Sequence, residues 1–282
     1  MDNTMFSPFE RAGLAVTFSP TGKMLLSEAA RLQSMFGFKI FFLHVGERDE
    51  STELRLNLLI FENFTSKNFE VVWLTGEPSK AILKKSKELG LDLLIIGALE
   101  KEQGIKNFIG SVARNIMRNC HCPILVFTKP VSERFGFKNI IISVCYDSKG
   151  EQAAKVAVQI ARHDHPEKLS LVKEINIPGL PSVVFDSGST DETGSMRKEL
   201  IELEKQKIKF FAHELGLRDS EFVNEVLYGV EGWECLNYAD EEKADLLVVT
   251  MGEKKLSFID RIFMHDLEFL FERIPTNTLL YK

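Results

Sequence analysis

The amino-acid sequence predicts an α/β chain of two tandem open sheets made of mostly parallel strands. Short apolar runs such as Leu91–Gly97 and Cys122–Phe127, rich in Ile, Leu and Val, have the continuous hydrophobicity of strands buried on both faces. They alternate with segments of helical periodicity, the pattern of a parallel sheet wound with crossover helices. The same series of elements then recurs. Ala153, Ala157, Ile160 and Ala161 repeat Leu25, Ala29, Leu32 and Gln33 at an offset of 128 residues, and Ala244–Val249 repeats Leu91–Ile96 at an offset of 153. The second copy therefore carries 25 more residues between its second and third strands, which places an insertion around 175–215. Two copies on this scale are a duplicated domain and not a solenoid. The boundary lies between Lys129 and Phe137, giving domains 1–130 and 131–282.

In the first copy, residues 13–18 read as a strand, followed by a Ser19-Pro20-Thr21-Gly22 turn. Leu25, Leu26, Ala29, Leu32 and Phe36 then repeat at helical spacing, and Gly37 is a good stop. Lys39–Val45 is the second strand. Leu54, Leu58, Leu59 and Phe61 mark a helix over 50–64, and Phe69–Leu74 is the third strand. Pro78 suits the start of the next helix, where its missing N–H would have no partner. Leu91–Gly97 leads through a polar link to a helix opening at Gly110-Ser111-Val112, with Val112, Ile116, Met117 and Cys120 on its apolar face. In the second copy, Phe137–Val144 is the first strand and Met196–Leu215 a long helix.

A chain of 282 residues with 44% hydrophobic and 27% charged content has the composition of a globular protein with room for two domains. A net charge of −6 gives no basic field for nucleic acid or an anionic membrane. The apolar runs fall far short of a membrane span of about 20 residues. Residues 1–10 lack a signal pattern, and four cysteines at 120, 122, 145 and 235 do not read as a disulfide framework. A reducing cytoplasm is the expected location.

Gly97 and Gly110 let the backbone approach a ligand, and Ser111 sits where free helix N–H groups attract an anion. The spacing of Gly97, Gly110 and Ser111 resembles the signature of the universal stress protein family: Gly, two residues, Gly, nine residues, Gly, then Ser or Thr. The middle glycine falls on Glu100, where the family pattern sets backbone against ATP phosphates. A carboxylate there would repel phosphate and fill the room. Tandem copies occur in the family, so the resemblance covers nearly the whole chain. It implies a Rossmann-like, adenine nucleotide alpha hydrolase-like fold for each copy. It also implies domains paired through their last strands, here Ile124–Phe127 and Thr278–Tyr281, as an intramolecular pseudo-dimer, with a homodimer as a further state.

The resemblance extends to site residues. The family's first strand ends in an aspartate that helps hold nucleotide; Thr17 and, in the second copy, Cys145 stand there. Val45 matches a valine whose backbone meets adenine. Thr17, Val45, Gly97, Gly110, Ser111 and Val112 are thus the nucleotide-binding candidates, against the alternative that they are ordinary strand ends, a tight turn and a cap. In the second copy Thr250 and Glu253 replace Gly97 and Glu100, and Met264-His265-Asp266 replaces Gly110-Ser111-Val112. The bulky stretch Phe258–Phe271 points to packing or an apolar cavity there, not a phosphate site.

No catalytic set emerges, and no metal site is assigned. Cys120-His121-Cys122 and His163-Asp164-His165 carry metal-type donors. Cys120 and Cys122 straddle a helix end and a strand start, so they are expected to face different ways as small buried thiols. His163 and His165 suit the negative end of a helix dipole. No cofactor is required, with ATP or AMP as the candidate nucleotide. The sequence supports a non-enzymatic regulatory or binding module in stress response with weak or lost nucleotide binding, acting on an unidentified protein or small molecule. The alternative is an adenine-nucleotide-binding stress regulator that uses the first copy.

Overall fold

The computed structural model describes residues 7–19, 21–98, 109–128, 130, 136–175, 191–229, 232–251 and 274–282. In chain order the first elements are β1 (Arg11–Ala15), α1 (Gly22–Phe36), β2 (Lys39–Val45), α2 (Glu50–Asn63), β3 (Phe69–Leu74), α3 (Pro78–Glu88), β4 (Leu93–Gly97), α4 (Ser111–Asn119) and β5 (Ile124–Phe127). They are followed by β6 (Asn139–Ser143), α5 (Ser148–Asp164), β7 (Lys168–Ile175), α6 (Asp191–Glu214), β8 (Val223–Tyr228), α7 (Trp233–Glu241), β9 (Leu246–Thr250) and β10 (Asn277–Tyr281). The chain forms two compact units, Met1–Gly136 with Phe271–Lys282, and Phe137–Leu270.

In the first unit the strands run β3-β2-β1-β4-β5, all parallel, and β10 pairs antiparallel with β5. In the second unit the parallel order is β8-β7-β6-β9. The chain is therefore α/β with mostly parallel open sheets, as the alternation of apolar runs and helices predicts. Self-similarity puts Thr278–Tyr281 in the second copy, whereas β10 belongs to the first compact unit. The reason is the exposed ladder of β5: with β4 on one side only, it needs a second partner, and Leu279 and Leu280 of β10 are buried there.

Local chemistry explains the element ends. Gly37, at φ 75°, takes the left-handed conformation that closes α1, and its N–H donates to the Gln33 carbonyl. Asp49 caps α2 through the Thr52 N–H, and Glu77 caps α3 through the N–H groups of Ser79 and Lys80, with Pro78 in the first turn. β1 lies two residues earlier than its apolar run suggests. Val16 still donates its N–H to Leu43, after which the chain turns back through a Gly22 N–H bond to the Ser19 carbonyl. A Cβ on Gly22 would collide with the Thr17 carbonyl oxygen, and one on Gly150 would collide with that of Cys145. The same close approach of helix to strand end is built twice, 128 residues apart.

The helix over 50–64 is present, but its apolar pattern does not mark its buried face. Leu56 and Ile60 are buried, while Leu54, Leu58 and Phe61 are 62%, 54% and 69% exposed. Leu56 and Ile60 are one helical turn apart on the buried face; the exposed three form a second stripe of equal periodicity.

A carboxylate clamp also recurs. Asp92, just before β4, accepts from the N–H groups of Glu10 (2.7 Å) and Arg11 (3.0 Å) at the foot of β1. Asp245, just before β9, accepts from Lys138 and Asn139 (both 2.9 Å) at the foot of β6. Removing the carboxylate leaves two strand-end donors to water. Asp92→Ala is expected to cost about 1–2 kcal/mol in urea unfolding. Gly150→Ala should cost about 1–3 kcal/mol, because the added methyl forces α5 away from the Cys145 carbonyl.

Candidate functional site

In the first unit the strand order reverses between β1 and β4. Beyond the carboxyl ends of parallel strands, such a reversal opens a crevice where α/β sheets bind ligands. Thr17, exposed, lies two residues past β1; Val45 ends β2; Gly97 ends β4. Because these strands are parallel neighbours, the three sequence candidates share one edge of the sheet. The Thr17 hydroxyl donates to Ser19 Oγ at 3.0 Å, which in turn lies 3.2 Å from Thr21 Oγ1. Gly97 is half-buried, and among the described residues the nearest atom to the place of a Cβ is a Leu25 methyl at 3.5 Å, an ordinary contact.

Gly110, Ser111 and Val112 open α4, which follows β4 and so starts at this same edge. Gly110 is extended (φ −61°, ψ 152°) and supplies no side-chain cap, and no acidic residue lies in the first turn. The first helical N–H groups have no acceptor within the helix, and the dipole places partial positive charge there. Ser111 is exposed and Val112 half-buried. Such an uncapped, uncharged helix start has the electrostatics that anion sites use. Glu100, the residue that departs from the sequence pattern, lies outside the described residues.

The sequence reading passed over an aromatic cluster at the ends of β1, β2 and β3. His44, buried, holds Nδ1 3.1 Å from the Val16 carbonyl oxygen, and its ring centroid is 5.0 Å from those of Phe18 and of Trp73. The Arg55 guanidinium stands 4.5 Å from the Phe18 ring and that of Arg48 5.9 Å from Trp73. The β1–β2 pairing brings Phe18 beside His44, and the β2–β3 register sets His44 against Trp73.

The second unit has its reversal between β6 and β9, with Cys145 and Thr250 at the edge. Burial raises the Cys145 thiol pKa. Registers Ala15↔Leu43 and Ser143↔Val172 place Glu174 where Val45 stands in the first unit. Its carboxylate accepts from the N–H groups of Gly232 (2.8 Å) and Cys235 (2.6 Å) and so fills the N-terminus of α7. Asp147 similarly caps α5 through the Gly150 N–H at 2.7 Å. Both helix ends already hold a negative charge. Glu253, Met264–Asp266 and Phe258–Phe271 lie outside the described residues.

Residues 47–128, from the end of β2 past β5, match the profile of the universal stress protein family. Over this segment the chain is similar to the universal stress protein family. A universal stress protein of Methanocaldococcus jannaschii is 35% identical over 60 residues, which cover 21% of this chain and 35% of that relative's length. The electron transfer flavoprotein subunit beta of Thermoanaerobacterium thermosaccharolyticum is 24% identical over 216 residues, 74% of this chain and 75% of that one. A putative universal stress protein from Pseudomonas aeruginosa superposes with a TM-score of 0.72 at 15% identity, covering 97% of this chain and 93% of its own. One from Archaeoglobus fulgidus gives 0.64 at 16%, covering 99% of each. At these identities the likeness of the solved structures is one of fold. The profile match spans Gly97, Gly110, Ser111 and Val112 of the universal stress protein pattern but stops before the second unit.

The histidine cluster does not converge. His163 Nδ1 lies 3.0 Å from one oxygen of Asp164, whose other oxygen accepts the Phe137 N–H, and His165 is the left-handed cap of α5 at φ 50°. The cysteine pair differs from its sequence expectation. Cys120 leaves α4 in an extended conformation and residues 121–122 bend before Pro123, so both thiols turn inward, 3.5 Å apart, instead of facing different ways.

The capping carboxylate of the second unit has a pH signature. The Gly150 N–H holds Asp147 below its ordinary pKa of 3.8. A depressed folded value means stabilisation present above the unfolded pKa and lost as pH falls through the folded one. Asp147→Ala should therefore cost about 1 kcal/mol at pH 7, with the gap to wild type closing below about pH 4 in urea titrations.

Proposed function

We propose that this chain is a non-enzymatic regulator of the universal stress type, in which the first unit alone binds an adenine nucleotide, ATP or AMP, and binds it weakly. The contrast between the two units supports this reading. The N-terminus of α4, at the first switch point, carries no acidic residue and no side-chain cap, whereas Glu174 and Asp147 occupy the helix N-termini of the second. A phosphate approaching α5 or α7 meets a carboxylate, as one approaching α3 meets Glu77; one approaching α4 meets N–H groups. Affinity is low because Thr17, tied to Ser19, stands where the family has a carboxylate, and because Glu100 sets a negative charge in the phosphate stretch of the sequence. Regulation then runs through a protein or small-molecule partner, or through a second copy of the chain. In the second reading nucleotide binding is lost and the chain is a scaffold; the carboxylate of Glu100 is what favours it.

Titration with a fluorescent ATP analogue, with and without magnesium, tests the proposal. Wild type should saturate with a Kd on the order of 100 µM, about −5.5 kcal/mol. Ser111→Glu should weaken binding at least about tenfold while leaving the fold at least as stable, since a carboxylate suits the first turn of a helix. Glu100→Gly should tighten binding by about tenfold, or about 1.4 kcal/mol. Absence of saturation in wild type and in Glu100→Gly would establish the scaffold reading instead.

A further inference from the structure

The turn between α4 and β5 brings together three side chains that the nucleotide reading does not use. Cys120, His121 and Cys122 offer two sulfurs and an imidazole nitrogen, all within 4.8 Å of one another, and among the described residues they are the group of three donors that converges in this way. The thiols are buried and the imidazole is exposed at the rim. Two thiolates bound to one tetrahedral metal at about 2.3 Å each stand about 3.8 Å apart. Here Sγ–Sγ is 3.5 Å, so a small opening of the turn reaches that geometry. The neighbouring backbone N–H groups of Cys122 and His121 favour the Cys120 thiolate electrostatically, as donors near a ligating sulfur do. Lys282 lies across the turn, its ammonium donating to the carbonyl oxygens of Arg118 (3.2 Å) and Cys120 (2.9 Å).

We propose that Cys120, His121 and Cys122 form a three-donor site for a thiophilic metal ion, zinc(II) or copper(I), with a fourth position open to an external ligand. Thiolate and imidazole donors select such ions over magnesium or calcium. On binding, each thiol gives up its proton to solvent and its sulfur lone pair to the metal, with no change of oxidation state. Two thiolates neutralise a divalent ion, so the half-buried Lys282 ammonium beside the site does not face a net positive charge. The Cys122 thiol, donating to Cys120, together with the N–H donors and Lys282, lowers the Cys120 pKa and makes the first of the two deprotonations easier. The hydrogen bond to Cys120, then burial, and less strongly Asp92 act on Cys122 in the opposite sense and raise its pKa.

Full-length protein, reduced and stripped with a chelator, is equilibrated with zinc(II), or with copper(I) under anaerobic conditions. It is then desalted and its metal counted by plasma mass spectrometry. One of the two ions should remain at one per chain, and which one identifies the metal. Affinity measured against a chromophoric chelator should fall by at least about tenfold in Cys120→Ser, Cys122→Ser and His121→Ala. It should be unchanged in Cys145→Ser. Cobalt(II) should give a thiolate charge-transfer band that both cysteine variants lose. His121 is exposed, so its variant reports even if a buried cysteine variant fails to fold. Retention of neither ion, affinity untouched by His121→Ala, or a chain that only closes a Cys120–Cys122 disulfide without taking up metal would each overturn the proposal.

Discussion

One constraint organises each unit: the fourth strand must lie beside the first, in parallel, although two other strands come between them in sequence. Asp92 and Asp245 meet that constraint at the feet of the strands, each accepting two backbone N–H groups that the sheet leaves over. Once β4 sits against β1, and β9 against β6, the reversal of strand order follows. The crevice beyond the carboxyl ends follows with it. Gly22 and Gly150 act at the opposite end of the strand, letting the next helix begin almost on top of the strand's last carbonyl. Foot and top of the central strand are thus held by the same devices in both copies.

On that shared frame the two copies have spent their charge differently. In the first, the β2 position facing the crevice is the apolar Val45, and α3 is capped by its own Glu77. In the second, the matching position is Glu174, which reaches across to cap α7. Capping a helix with a carboxylate stabilises it, and it also places a negative charge where an anionic ligand would have to settle. Structural capping and anion binding compete for the same N–H groups. A fold can therefore keep its strands and helices while the N–H groups at a given helix end are taken up by its own carboxylates.

Much of this was legible in the chain itself. The strand runs, the Gly37 stop, Pro78 at a helix start and the repeat at offsets of 128 and 153 residues are local patterns, and local backbone preferences act on them directly. So is the glycine and serine spacing at Gly97, Gly110 and Ser111, which the universal stress protein profile covers. The face of α2 was not legible, because two stripes with the same period compete and only tertiary packing decides which is covered. Nor was the convergence of Cys120 and Cys122, which depends on a two-residue bend that strand alternation does not describe.

The sequence by itself determined the α/β class and the order of its strands and helices, since both are written in residue periodicity and spacing. Tertiary structure alone decided that β10 closes the edge of β5, that His44 meets Phe18 and Trp73, and that Glu174 fills the N-terminus of α7. Each of these joins residues far apart in the chain. Their meeting is set by strand register and by the need to satisfy buried ladders and helix ends, which no single stretch of sequence carries.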